Sequence, residues 1–166
     1  ECPENGFRML MMKYQEPVYW HIRRLVVSHD DAQDASQETF VRIYRSFNQY
    51  RGDCSLRSWI YRIATNEALR LISKRKQEEV SLESESTGVS LIPADNYIDF
   101  DDEVAVKLQK AILSLPPKQQ LAFNLRYYDE LSFDEIARVA DSTPTSIKAS
   151  YHVAKEKIIK YMNSND

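Results

Sequence analysis

The amino-acid sequence predicts an all-α protein with two small helical domains joined by an acidic linker. Apolar residues recur every three or four positions along most of the chain, which places them on one face of a helix. Only 3 glycines occur in 166 residues, which argues against a turn-rich β protein. Net charge is +4 over residues 1–76, −9 over 77–105 and +2 over 106–166. We therefore expect domains at 1–76 and 103–166, with residues 77–102 as the linker.

The first domain is predicted to begin with three helices. Asn5–Tyr14 and Pro17–Ser28 are expected to be separate, because proline suits the first turn of a helix and disrupts its interior. Asp30 and Asp31 can cap the third helix, which runs to about residue 48. Its apolar face is expected to include Tyr44.

A loop containing a glycine leads to the fourth helix of this domain, predicted from Leu56 to about residue 76 with Ser55 as its N-cap. Trp59 is in phase with the apolar stripe of this helix and is expected in the core. Tyr61 falls outside that stripe and is expected to be exposed.

The second domain is predicted to contain Glu103–Ser114, Lys118–Tyr128 and a helix-turn-helix over Phe133–Met162. Residues 141–143 form its turn, and Thr143 can cap a second helix whose first residue is proline. The apolar stripe of that second helix has helical period and comprises Ile147, Tyr151, Ala154, Ile158 and Met162.

The opposite face of this second helix carries short or basic side chains, which suit a DNA major groove and its phosphates. A helical hairpin with a solvated polar face would show the same pattern, so both interpretations stay open at this point. The candidate DNA-binding residues are Thr145, Ser146, Lys148, Ala149, Ser150, His152 and Lys155.

Other functional classes find little support in the sequence. No apolar run approaches the roughly 18 residues of a membrane span, and Phe7–Met12 is too short for a signal-peptide core. Cys2 and Cys54 lack metal-ligand spacing. We expect no catalytic site, metal, cofactor or small-molecule substrate, no membrane insertion, and a cytoplasmic location.

Two stretches resemble the extracytoplasmic-function sigma factors, the smallest class of bacterial RNA polymerase specificity subunits. Asp31–Lys76, which includes DAQDASQETFVRIYRSF, resembles conserved region 2 of the family. Leu113–Ala137 and Ser146–Ile158 resemble region 4, and the acidic linker lies where the family has a variable connector. The short YHVAKEKI version of region 4 resembles members from the Bacteroidetes.

The resemblance implies core RNA polymerase as a partner, bound through its β′ coiled coil and its β flap. The docking residues would lie on the third helix, where several share one face and offer acidic groups to a basic partner. A solvated helix face is the alternative. The residues concerned are Asp31, Asp34, Gln37, Glu38 and Val41.

The resemblance also implies opening of the −10 promoter element by the loop before the fourth helix and by that helix. A pocket that traps an extruded base, together with cations along the backbone, can offset the lost base stacking. The residues at matching positions are Asn48, Tyr50, Arg51, Ser55, Arg57, Arg62, Asn66, Arg70 and Lys74.

In the family, the recognition helix reads duplex DNA at the −35 element. This chain keeps the lysine and histidine of the family pattern at Lys148 and His152, but has Ser150 and Val153 where the pattern has arginines. Bidentate contacts to guanine are therefore fewer, and the promoter sequence is not implied. The resemblance further implies a membrane-anchored anti-sigma factor as a partner.

Two alternatives remain open on the sequence. A dimeric helix-turn-helix regulator would need a ligand pocket or a dimer interface. A degenerate sigma homologue acting as a protein-interaction module would bind a partner without directing transcription.

Overall fold

A computed structural model describes residues 3–26, 28–83 and 102–164, and the linker prediction falls largely on residues outside these ranges. Contacts divide the chain into two compact units, Glu1–Asp53 with Ile60–Ile92, and Cys54–Trp59 with Pro93–Asp166. The predicted all-α class is confirmed. The helices are α1 Pro3–Val26, α2 His29–Ser46, a 3-10 turn Phe47–Gln49, α3 Leu56–Glu83, α4 Glu103–Leu113, α5 Pro117–Tyr127, α6 Phe133–Ala140 and α7 Pro144–Met162.

Helix α1 is continuous, so the predicted interruption at Pro17 is wrong. Leu10, Tyr14, Val18 and Ile22 are all buried and follow one another at intervals of four residues. Pro17 lies on the exposed face, where water can hydrogen-bond the carbonyl group that its missing N–H leaves without a donor. Burial of the apolar stripe therefore outweighs the break in the hydrogen-bond ladder.

The N-cap of helix α2 lies two to three residues before the predicted caps, Asp30 and Asp31. Ser28 is the N-cap, and its side chain accepts a hydrogen bond from the backbone N–H of Asp31. The two aspartates fall in the first turn, where negative charge is favourable. Tyr44 is 56% exposed, so its predicted core position is wrong; its ring packs edge-on against Phe7 instead.

Helix α3 begins as predicted, with Ser55 accepting from the backbone N–H of Ser58 at 3.1 Å. The helix ends at Glu83, seven residues beyond the predicted end, because good helix formers continue where the apolar stripe stops. Tyr61 is only 2% exposed, so its predicted exposure is wrong. The buried face of α3 is wider than one stripe, since Tyr61 contacts His21 of α1.

The second unit is built around α7. Its predicted stripe packs on α4 and α5 through a core that comprises Ala111, Ile112, Leu115, Phe123, Ala154 and Ile158. Lys107 of α4 donates to the carbonyl groups of Met162 and Ser164, which satisfies acceptors at the C-terminus of α7.

The helix-turn-helix has the predicted turn and cap. Asp141 ends α6 in the left-handed region at φ 52°, and Thr143 accepts from the backbone N–H of Ser146 at 3.2 Å. Pro144 occupies the first position of α7. The start of α7 is thereby fixed by local chemistry.

His21 is a completely buried polar residue in the first unit. Its Nε2 lies 2.8 Å from the Thr65 hydroxyl oxygen, which joins α1 to α3 by a buried hydrogen bond. Burial, with a smaller contribution from Arg24, lowers the pKa of His21 from 6.5 to about 3. The histidine is therefore neutral in the folded protein at neutral pH.

The first prediction concerns acid stability. Below pH 6.5 His21 is protonated in the unfolded chain, whereas in the folded protein it stays neutral down to about pH 3. The free energy of unfolding therefore falls as the pH drops across this window. The slope from this residue approaches about 1.4 kcal/mol per pH unit. In urea denaturation, His21→Gln should be less stable at pH 7.5 but flatter between pH 7 and 5. An unchanged slope in His21→Gln would contradict the assignment.

Candidate nucleic-acid and partner-binding surfaces

The outer face of α7 carries all seven candidate major-groove residues. Thr145, Lys148, Ala149, His152 and Lys155 are exposed, and the two serines are half-buried. Because Ile147, Ala154 and Ile158 are buried on the other side, this face points away from the core of the unit. Small side chains alternate with basic ones, so α7 offers close approach together with positive charge.

Lys118 also lies at this face, although no pattern in the sequence indicates a role for it. Its ammonium lies 2.5 Å from the Ser146 hydroxyl, so α5 supplies a cation to the first turn of α7. This cation adds to the positive potential already present at a helix N-terminus. The two residues are 28 positions apart, and no local pattern pairs them.

The α2 face carries the predicted docking residues, with one difference. Asp34, Gln37, Glu38 and Val41 are exposed. Asp31 is largely covered, because Arg75 of α3 donates to its carboxylate at 2.6 Å. That carboxylate also raises the pKa of Arg75. The structure therefore gives Asp31 a helix-to-helix contact and leaves the four other residues facing solvent.

A groove of about 690 Å³ runs between α1 and α2, beside the α2 face. Its apolar lining comes from Phe7, Met11, Phe40, Val41 and Tyr44. Methionine adapts its shape to a partner, and the exposed tyrosine ring offers a rigid apolar surface. Acidic and apolar groups thus lie side by side on the α2 face.

Helix α3 presents a row of four polar side chains, three of which are basic. Arg62, Asn66, Arg70 and Lys74 are spaced by four residues and all are exposed, so they follow one side of the helix. Before this helix, Asn48 and Arg51 are exposed and Tyr50 is half-buried. These three residues and the row on α3 all belong to the predicted −10 residues.

Comparisons with known proteins decide the family. The chain matches Sigma-70 region 2 over residues 10–78 and Sigma-70 region 4 over residues 105–158. The RNA polymerase sigma-H factor of Pseudomonas aeruginosa is 28% identical over 95% of this chain and 86% of its own length. The ECF RNA polymerase sigma factor SigW of Bacillus subtilis is 29% identical over 96% of this chain and 90% of its own length. This chain belongs to the extracytoplasmic-function sigma factors.

Solved structures similar to this sigma factor share its fold. The sigma factor RpoE, in a co-crystal structure with the anti-sigma factor NepR from Bartonella quintana, has a TM-score of 0.79 at 18% identity and covers 97% of this chain and 99% of its own. CnrH, in complex with the cytosolic domain of CnrY, has a TM-score of 0.74 at 15% identity, covering 98% and 91%. The likeness agrees with the helical architecture described above.

Two absences hold for the described parts of this sigma factor. Among residues 3–26, 28–83 and 102–164, no helix combines the length and apolarity that crossing a bilayer requires. Within the same ranges, no cluster of three or more histidine, cysteine, aspartate or glutamate side chains could hold a metal ion.

Ser55 and Arg57, two predicted −10 residues, are held in the second unit by Glu135. Arg57 donates from Nη2 to Oε1 at 2.6 Å and from Nε to Oε2 at 3.1 Å. The Ser55 hydroxyl donates to Oε2 at 2.8 Å. Both residues therefore have a protein partner in this conformation, and a phosphate would have to replace that carboxylate. Local sequence gives no signal for a contact across 78 positions.

Glu135 also completes the capping box of α6. Its Oε1 accepts from the backbone N–H of Ser132 at 3.1 Å, and the Ser132 side chain accepts from the backbone N–H of Glu135. The hydrogen bonds from Arg57, with smaller contributions from Ser132 and Ser55, lower the pKa of Glu135 to about 2. One carboxylate thus serves the start of α6 and the start of α3.

The second prediction separates these two roles. Above pH 4.5 the ionised Glu135 stabilises the fold, and this contribution is lost as the pH falls from about 4.5 to about 2. Glu135→Gln keeps an acceptor for the capping box but loses the charge that binds Arg57. Glu135→Ala loses both, so we expect it to be about 1 kcal/mol less stable than the glutamine variant in urea denaturation at pH 7. Equal stability of the two variants would contradict the capping role.

Proposed function

We propose that this sigma factor binds core RNA polymerase through the α2 face and recognises promoter DNA through α3, its preceding loop and α7. The main support is that the chain matches Sigma-70 region 2 and then region 4, in the order that the family has them. Each region also contains exposed candidate contact residues. The activity is selection of promoters for initiation, and the reaction belongs to the polymerase. Its site of action is then the cytoplasm.

Polymerase docking is supported by the chemistry of the α2 face. Asp34 and Glu38 offer carboxylates to a basic partner, while Val41 and the groove between α1 and α2 offer apolar contact. A basic helical element such as the β′ coiled coil matches this combination. Region 4 would contact the β flap.

Promoter opening is supported by the row on α3. Arg62, Arg70 and Lys74 can neutralise successive phosphates of a separated strand, and Asn48, Tyr50 and Arg51 can surround an extruded base. Stacking costs of order 1–2 kcal/mol per base step must be recovered. Ser55 and Arg57 join this surface once Glu135 releases them.

Duplex recognition at the −35 element is assigned to α7. Lys148 and Lys155 supply phosphate contacts, His152 a phosphate or base contact, and the smaller side chains permit close approach. Ser150 and Val153 stand where the family pattern has arginines. Because arginine makes bidentate contacts to guanine, α7 is expected to contact fewer guanines in the −35 element than the family pattern would.

An anti-sigma factor is the proposed regulatory partner. Two solved structures with this fold are complexes: RpoE is bound to the anti-sigma factor NepR, and CnrH is bound to the cytosolic domain of CnrY. The short YHVAKEKI segment supports a placement near Bacteroidetes members.

Transcription with purified sigma-free core polymerase over a promoter library tests the function itself. Selective transcripts should appear only when the sigma factor is added, and their absence across the library would overturn the proposal.

The third prediction concerns Lys148. Loss of one phosphate contact should weaken binding to −35 duplexes and reduce the slope of log affinity against log salt by about 0.9. Lys148→Ala is the test variant, measured by fluorescence anisotropy with holoenzyme over a series of salt concentrations. Lys157→Ala is the matched control, because its ammonium lies 3.0 Å from Gln119 on the α5 side. A wild-type slope in Lys148→Ala would contradict the phosphate contact.

The fourth prediction concerns Glu38. Reversing its charge should place like charges opposite each other, so Glu38→Lys should bind core polymerase at least tenfold more weakly, a cost of about 1.4 kcal/mol or more. Glu78→Lys makes the same change at an exposed position of α3 and should bind normally. Circular dichroism melting checks that both variants fold. Normal core affinity of Glu38→Lys would count against the docking face.

A further inference from the structure

Arg42 lies between two carboxylates, one on each of two helices of the first unit. Its Nε forms an ion pair with Glu67 of α3, and lies 3.5 Å from Oε1 of Glu38, four residues earlier on α2. The contact with Glu67 is the shorter of the two. One guanidinium is therefore shared between the exposed α2 face and the interior of the unit.

Glu67 is only 6% exposed, whereas Glu38 is 48% exposed. A buried carboxylate is costly unless a cation compensates it, so Arg42 contributes more stability beside Glu67 than beside Glu38. Arg70 lies 3.6 Å from the same oxygen of Glu67 but is more exposed. This difference in burial explains why Arg42 is drawn towards α3.

The hold on Arg42 depends on charge. Its Nε is buried and makes no hydrogen bond of good geometry, although it lies within ion-pair distance of both carboxylates. The directional part of hydrogen bonding therefore contributes little here. The position of the guanidinium is determined by its electrostatic attraction to the two carboxylates. Removing one charge shifts Arg42 towards the other.

We propose that Glu67 is a positioning residue for polymerase docking, because it draws Arg42 towards α3 and so weakens the pairing of Arg42 with the Glu38 carboxylate, to which a cation of the polymerase would bind. The inference rests on the docking role proposed for Glu38. Without the charge of Glu67, Arg42 can move closer to Glu38 than the present 3.5 Å and strengthen this ion pair, which has the favourable order of glutamate four residues before the basic residue. A polymerase cation must then displace Arg42 before it can bind.

The expected effect is small but measurable. An exposed pair of this kind is worth up to about 1 kcal/mol, so Glu67→Gln should weaken core polymerase binding about twofold to fivefold. The weakening should shrink at high salt, because the competition is between exposed charges. Glu78→Gln makes the same substitution on the exposed side of α3 and should bind as the wild type does.

Rescue distinguishes positioning from a merely structural role. Arg42→Gln removes the competing guanidinium, so both Arg42→Gln and the double variant Arg42→Gln with Glu67→Gln should bind core polymerase at least as tightly as the wild type. A structural role predicts the reverse, since each substitution removes an interaction between α2 and α3. Biolayer interferometry with the full chain measures the affinities, and circular dichroism confirms folding. If Glu67→Gln alone fails to fold, weaker binding by Arg42→Gln overturns the inference.

A double-mutant cycle separates this inference from the proposed function. In a Glu38→Gln background, Glu67→Gln should cause no further loss of affinity, because there is no carboxylate left for Arg42 to cover. If Glu38→Gln binds normally, the docking role fails and the inference fails with it. If Glu38→Gln weakens binding while Glu67→Gln does not, the docking role stands and only the inference is overturned.

Discussion

Burial of one apolar face on each helix determines which side chains this sigma factor offers to its partners. On α7, Ile147 and Ala154 are buried in the core. Exposing a large side chain such as that of Ile147 would cost about 1.5–3 kcal/mol of hydrophobic stabilisation. Lys148 and His152, which lie between Ile147 and Ala154 on the other side of the helix, are therefore exposed. The same constraint turns Asp34 and Glu38 outward on α2, where Ala35 is buried behind them.

Local periodicity was sufficient to predict the helix-turn-helix almost completely, since its stripe, its turn and its Thr143 cap depend on neighbours in sequence. The prediction was wrong where tertiary packing overrides local preference. Pro17 lies inside a helix because the stripe on either side of it is continuous and buried. Tyr61 is buried because α3 contacts more than one helix, and such a face is wider than one stripe.

The candidate surfaces were predictable as sets of residues, but their partnerships were not. Asp31 was expected on the docking face, and its contact with Arg75 joins residues 44 positions apart. The same holds for Arg57 with Glu135. A charged residue gives no sequence signal of which distant charge it will meet, because many arginines and carboxylates could pair. Long-range ion pairs therefore appear only when the backbone places two helices side by side.

Asp141, which ends α6 with a positive φ, constrains how this protein can diverge. Few residues tolerate the left-handed region at low cost, chiefly glycine, asparagine and aspartate. Lys148 and His152, only a few positions away, are exposed and support no core. Exposed side chains of α7 can therefore be substituted during evolution without loss of the core. The turn between α6 and α7, which sets the orientation of α7, tolerates only a few residue types at position 141. New specificity can arise here without loss of the scaffold.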